Sequence, residues 1–142
     1  GYDSPEVIDL LDGFIDIYMP DMKYADPEIG HQLSSAKDYP RINQTAVWKM
    51  HGQAGNLKTE NGIAKKGMLV RHLVLPNNLA GSQKIIDFLA DEISPHTAIN
   101  VMAQYRPCYH ASTDSRINRH PTTEEIDTAV QYARTRNLRL IG

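Results

Sequence analysis

Gly67-Met68-Leu69-Val70-Arg71-His72-Leu73-Val74-Leu75-Pro76 is the segment from which the architecture of this chain is read. From Met68 to Leu75 every residue is apolar except Arg71 and His72. A short apolar run of this kind, closed by Pro76-Asn77-Asn78, is expected of a strand covered on both faces, as in a parallel sheet.

The flanks of this strand alternate between helical and extended patterns. On its N-terminal side, residues 56–67 are polar and contain Asn61-Gly62, a strong hairpin-turn signal, so a protruding hairpin or loop is expected there. Before it, Ile42, Ala46, Met50 and Ala54 recur every four residues in a helix opened by residues 38–40. Asp26-Pro27-Glu28 opens a shorter helix carrying Ile29 and Leu33. Ile15-Asp16-Ile17-Tyr18-Met19 reads as a strand ending at Pro20. Ser4-Pro5 starts a first helix with Val7, Ile8, Leu11 and Phe14 on its apolar face and Gly13 at its end.

On the C-terminal side, Ile85, Ile86, Leu89 and Ile93 mark an amphipathic helix stopped by Ser94-Pro95. Residues 97–104 form a strand that runs into Tyr105-Arg106-Pro107. Thr122-Thr123-Glu124-Glu125 is a capping box ahead of Ile126, Ala129, Val130 and Ala133. Residues 138–141 close the chain as a short strand. Strands alternating with helices imply parallel pairing and right-handed crossovers. The 142 residues are read as one unit, too short for a complete eight-stranded barrel of about 250 residues.

Composition narrows the function classes. A net charge of −2 with scattered basic residues speaks against nucleic acid and anionic membranes as partners. No apolar run approaches the roughly 20 residues of a membrane span, and Gly1-Tyr2-Asp3-Ser4-Pro5 is no signal peptide. It does not start with Met, so the sequence is expected to begin inside a longer protein. One cysteine, Cys108, fits a reducing cytoplasm and forms no internal disulfide. The six histidines form no HxH or HExxH cluster.

In parallel α/β folds, sites form at the C-terminal ends of strands. Asp21 and Lys23, two residues apart in an extended segment, can point the same way. Together they can hold a ligand, or they can form an ion pair in a solvated loop. Arg71, set in an apolar run, needs an anionic ligand or a core carboxylate, because burying an unpaired charge is costly. His72 faces the opposite side and reads as structural, as does Cys108. Gln104, Tyr105 and Arg106 close the third strand.

Taken together, residues 16–24 (DIYMPDMKY), 67–76 (GMLVRHLVLP) and 102–109 (MAQYRPCY) resemble radical S-adenosylmethionine enzymes, in the branch related to pyruvate formate-lyase-activating enzyme. Residues 1–6 look like the tail of that family's preceding Asn-Gly strand end, so the likeness runs over nearly the whole chain. It implies the C-terminal portion of a partial TIM-type barrel with mostly parallel strands. By this resemblance Lys23 contacts the methionine carboxylate of S-adenosylmethionine, and Asp21 with the Met19 carbonyl lies near the ribose and a monovalent cation. Arg71 and the backbone of Leu73 line the same cofactor. Arg106 falls where activating enzymes place an adenine-side histidine, a departure from the family pattern.

The family's Cys-x3-Cys-x2-Cys loop, which binds a 4Fe–4S cluster, has no counterpart here. That iron–sulfur segment is expected upstream of Gly1 in a longer parent. The parent would form a 5′-deoxyadenosyl radical for hydrogen abstraction, with a glycyl radical enzyme as its protein substrate, and the 142 residues by themselves would be inactive. An exposed edge strand near the N-terminus is expected to favour self-association. The competing expectation is a small, complete, non-catalytic α/β module that binds a nucleotide or a protein. A third is a remnant that only oligomerises.

Overall fold

A computed structural model describes residues 1–142. Helix α1 (Pro5–Leu10) leads into two short strands, β1 (Ile17–Tyr18) and β2 (Asp21–Met22), and then helices α2 (Pro27–Ser34) and α3 (Tyr39–Ala54). The hairpin strand β3 (Lys58–Glu60) returns into the long strand β4 (Ile63–Leu73). Helix α4 (Ser82–Phe88), prolonged by one wide turn over Leu89–Ile93, precedes β5 (Ala98–Met102). A single-turn segment, Tyr109–Thr113, helix α5 (Thr123–Thr135) and β6 (Arg139–Leu140) complete the chain.

The fold is α/β, with a sheet of mainly parallel strands. β1 and β2 lie along the same side of β4 in one register, with Tyr18 opposite Met68 and Met22 opposite His72. β5 flanks the other side of β4, and β6 pairs with β5, all in parallel. Strand order therefore follows sequence order, and the sheet is open, with β1/β2 and β6 as its edges. The strand expected over 15–19 extends further than Pro20. That residue, having no N–H, interrupts the ladder, yet its carbonyl accepts from Arg71 N–H (2.9 Å) and pairing resumes at Asp21. Asp21 accordingly lies in the ladder rather than beyond its end.

One hydrophobic core lies on one face of this sheet. Tyr18, Met22, Met68, Val70 and Ile99 project onto it and meet α3 (Ala46, Val47, Met50), α4 (Ile85, Ile86) and α5 (Ala133). In β4 the residues of the other parity, Leu69, Arg71 and Leu73, are only half-buried. The expectation of a strand covered on both faces is thus corrected: helices of this chain cover one face only.

Local signals explain most boundaries. Ser4 Oγ accepts from Val7 N–H at the start of α1, and both bonds of the Thr122–Glu125 capping box form. Asn61 and Gly62 take positive φ (51° and 78°), as a two-residue hairpin turn requires. Gly67 has φ 117°, and a Cβ there would lie 2.3 Å from the Asn56 carbonyl oxygen. The apolar stripe expected on α1 is corrected: only Ile8 is buried, Leu11 is half-buried, and Val7 and Phe14 are exposed. No helix is long and apolar enough to cross a membrane.

Candidate functional site

Parallel register brings three polar residues into one row on the open face. Asp21 in β2 lies opposite Arg71 in β4, and Arg71 lies opposite Asn100 in β5. Arg71 Nε donates to Asp21 Oδ1 at 2.7 Å. Arg71 had been expected to be buried. Its side chain is instead 40% exposed, which removes the severe cost of an unpaired interior charge. Both Nη atoms of Arg71 and Oδ2 of Asp21 have no partner in the chain.

Lys23 follows two residues after Asp21, half-buried and in no salt bridge. Its backbone, and that of Asp21, is fixed from the helical side. Tyr39 Oη, at the start of α3, accepts from Lys23 N–H (3.1 Å) and donates to the Asp21 carbonyl (3.2 Å). Asn43 Nδ2 donates to the same carbonyl at 2.9 Å and to the Gly1 carbonyl at 2.6 Å. Burial pushes the Tyr39 hydroxyl up to about 12, so it keeps its proton and remains a donor. Sequence reasoning did not single out Tyr39 or Asn43. A polar Asn43 one residue past Ile42, on the helical stripe, was the available signal.

Leu73 lies on the open face opposite Met102. Met19, beside the interruption at Pro20, is 53% exposed. The third strand stops at Met102, earlier than expected, so Tyr105 and Arg106 lie in the connection that follows. That connection is ordered: Tyr105 Oη donates to the Ile117 carbonyl (2.9 Å), and Asn77 Nδ2 donates to the Arg116 carbonyl (2.7 Å). Here a cleft of about 430 Å³ is lined by Tyr24, Leu33, Leu75, Tyr105, Arg106 and Ile117, among others. Arg106 is exposed at its margin, as is Cys108. Asp21, Lys23 and Arg71 are therefore close neighbours, and Arg106 lies one loop away on the same C-terminal side of the sheet.

His72 projects to the core. Its Nδ1 is 2.8 Å from the Met22 carbonyl, which fixes the proton there, so Nε2 accepts from Ser82 Oγ at 2.8 Å. Burial pushes this imidazole below its ordinary value. It is neutral, fully hydrogen-bonded and turned away from the open face. No group of three or more histidine, cysteine, aspartate or glutamate side chains is arranged to hold a metal ion.

No family model matches the chain. No solved structure matches it either. It is 36% identical over 142 residues to an uncharacterized protein of Methanocaldococcus jannaschii, an alignment that takes in 99% of this chain and 38% of the relative. The chain thus spans well under half the length of that relative.

Proposed function

We propose that these residues form the C-terminal arc of a partial, TIM-type barrel of the radical S-adenosylmethionine class, related to the pyruvate formate-lyase-activating enzymes. The observation that carries this reading is a singly wound parallel sheet whose helices cover one face while an arginine–aspartate pair occupies the other. A doubly wound sheet places helices on both faces, whereas an arc of a barrel keeps one face as its interior. The length of the archaeal relative agrees with a parent larger than 142 residues.

The open-face groups suit S-adenosylmethionine chemically. Lys23 offers an ammonium without an acidic partner to a carboxylate. Asp21 has one free oxygen for a ribose hydroxyl, and Met19 offers a carbonyl beside it for a monovalent cation. Arg71 adds two unused guanidinium nitrogens, and Leu73 lies next to it on the same face. Arg106 lines the cleft in the connection after β5, where an adenine ring would lie in this reading. The 4Fe–4S cluster does not fit this chain, because Cys108 is its one thiol and such clusters require several. In the parent, cluster and S-adenosylmethionine together supply a radical for hydrogen abstraction, as in activation of a glycyl radical enzyme. The role of these residues is to bind and orient the cofactor and to exclude water. The single cysteine, unable to form an internal disulfide, fits a reducing, cytoplasmic setting.

Leu10, Phe14, Ile17 and Met19, in and around edge strand β1 along the chain, are exposed apolar side chains suited to covering by further chain or by a second copy. Titration calorimetry with S-adenosylmethionine tests the reading. Weak binding that falls tenfold or more in Lys23→Ala and Arg71→Ala is expected. A parent protein that binds neither S-adenosylmethionine nor iron and sulfide after anaerobic reconstitution would overturn it and favour a non-catalytic nucleotide- or protein-binding module.

A further inference from the structure

The hairpin of β3 and β4 gathers basic residues that are scattered in the sequence. Lys58 in β3 lies directly opposite Lys66 in β4, while Thr59 lies opposite Ala64. The register shift between these two pairs leaves Lys65 as an extra residue, so two lysines of β4 oppose one of β3, as in a β-bulge. Like charges set opposite each other across strands repel. Lys58, Lys65 and Lys66 are all exposed, and none forms an ion pair. Arg139 of β6 adds a fourth cation. Its guanidinium donates to the Leu57 carbonyl (2.7 Å) and to Thr59 Oγ1 (3.2 Å), and it meets no carboxylate. Three lysines against one glutamate leave residues 56–67 at +2 within a chain of net charge −2. Strand β3 pairs with β4 alone, and no backbone group of Lys58, Thr59 or Glu60 bonds outside the hairpin. Its outer edge is therefore open.

We infer that this hairpin docks an extended, acidic segment of a partner protein, which adds as a strand beside β3. The open edge supplies main-chain hydrogen bonds, and the lysines with Arg139 supply the charge that selects carboxylate side chains. Ile63, 62% exposed and opposite Glu60, offers an apolar contact next to them. Docking of carboxylates relieves the repulsion among the lysines. The open edge favours a protein strand over nucleic acid, which has no backbone amides to pair with it. The hairpin's net charge disfavours a second copy, which would bring more lysines to the same place. Arg139 and the close packing of Gly67 on Asn56 hold the hairpin in position, so little of this side has to be ordered on binding. The surface lies at the N-terminal end of β4. Lys65 precedes Arg71 by six residues, up to about 20 Å of extended strand. The inference therefore does not rest on the open-face site or on its ligand.

Backbone nitrogen-15 correlation spectra of the chain report strand addition directly. The probes are a capped octapeptide of alternating glutamate and valine, its glutamine counterpart, and oligothymidylate of the same length. The glutamate peptide is expected to shift the amides of Lys58, Thr59 and Glu60 and to slow their hydrogen exchange. Its binding should weaken about tenfold at high salt, and the glutamine peptide should bind about tenfold more weakly at low salt. Lys58→Ala, Lys65→Ala and Lys66→Ala combined should weaken the glutamate peptide by about tenfold or more, while Lys58→Arg, Lys65→Arg and Lys66→Arg combined should retain it. The comparison of the two peptides on the unaltered chain serves where the alanine variant loses its native spectrum. Equal binding of both peptides, or glutamate-peptide binding unchanged in the alanine variant, overturns the inference, as does no shift with the glutamate peptide. Oligothymidylate binding in place of the peptide overturns it in favour of a nucleic-acid contact. Shifts of the same amides with protein concentration alone overturn it in favour of a contact between copies.

Discussion

Glu125→Gln isolates the one strongly shifted carboxylate that ties the loops together. Glu125 accepts two N–H bonds from the Arg119 guanidinium, at 2.8 Å each, one from Thr122 N–H (2.8 Å) and one from Asn77 N–H (2.6 Å). It thereby pins the turn after β4 to the start of α5. The Arg119 guanidinium, followed by these backbone donors, pulls its carboxyl down to about 2 from an ordinary 4.5. At about 1.4 kcal/mol per unit the full shift corresponds to roughly 3 kcal/mol. The pair is not deeply buried, with side chains 22% and 38% exposed, so solvent screening reduces this to about 1–2 kcal/mol. Because the folded-state value is depressed, this stabilisation is complete above the unfolded value near 4.5. It is lost as pH falls from there through about 2. Urea unfolding followed by circular dichroism across that window is the assay. Near neutral pH the glutamine variant should be less stable than wild type by about 1–2 kcal/mol. The two should converge toward pH ~2. Parallel stability curves for the two proteins would refute the assignment of the charge as the tie between these loops.

Four further outcomes follow from the same geometry. Tyr39→Phe removes the hydroxyl shared by Lys23 N–H and the Asp21 carbonyl, and should cost about 1–2 kcal/mol in urea unfolding. His72, held neutral by burial, makes the protein lose stability as pH falls below the ordinary imidazole range, since the unfolded chain then takes up the proton. His72→Ala should cost about 2–4 kcal/mol by leaving Met22 and Ser82 unpaired, and should flatten that part of the pH–stability curve. Gly67→Ala cannot keep its backbone against Asn56 and should cost more than about 2 kcal/mol, measured by thermal unfolding. A Leu10→Glu, Phe14→Glu double variant should shift sedimentation velocity profiles toward monomer, if the exposed apolar side chains around β1 drive association.

Local signals carried most of the fold because they depend on near neighbours in sequence. Asn61-Gly62, the Thr122–Glu125 box and the apolar run at 68–75 each appear where their chemistry predicts. What could not be read was tertiary. Ile8 alone of the first apolar stripe meets the core, because α1 packs only part of its face on α3. The stripe of α3 is turned so that Asn43 is buried while Ile42 is only partly so, and that rotation depends on where β2 runs. Which face of β4 is left open is not decided by its sequence either, because Arg71 and His72, on opposite faces, each interrupt the apolar run. The site was legible to the same degree. Asp21, Lys23 and Arg71 could be named, but the Asp21–Arg71 bond needs the register of strands 50 residues apart in sequence. Asn100 and Tyr39 enter the site only through that register and through the docking of α3.

Strand β4 is at once an arm of the hairpin and the middle of the sheet, so its alignment determines which of two adjacent basic residues meets solvent. A slip of one position would carry Arg71 among the methionines and leucines of the interior and turn His72 outward. Gly67 opposes such a slip, since only a residue without a side chain passes the Asn56 carbonyl. A misaligned subpopulation would retain near-native helix content yet be silent toward every ligand of the open face. Resonances of Arg71 and His72, rather than circular dichroism, are therefore the proper measure of how much of a preparation is correctly folded.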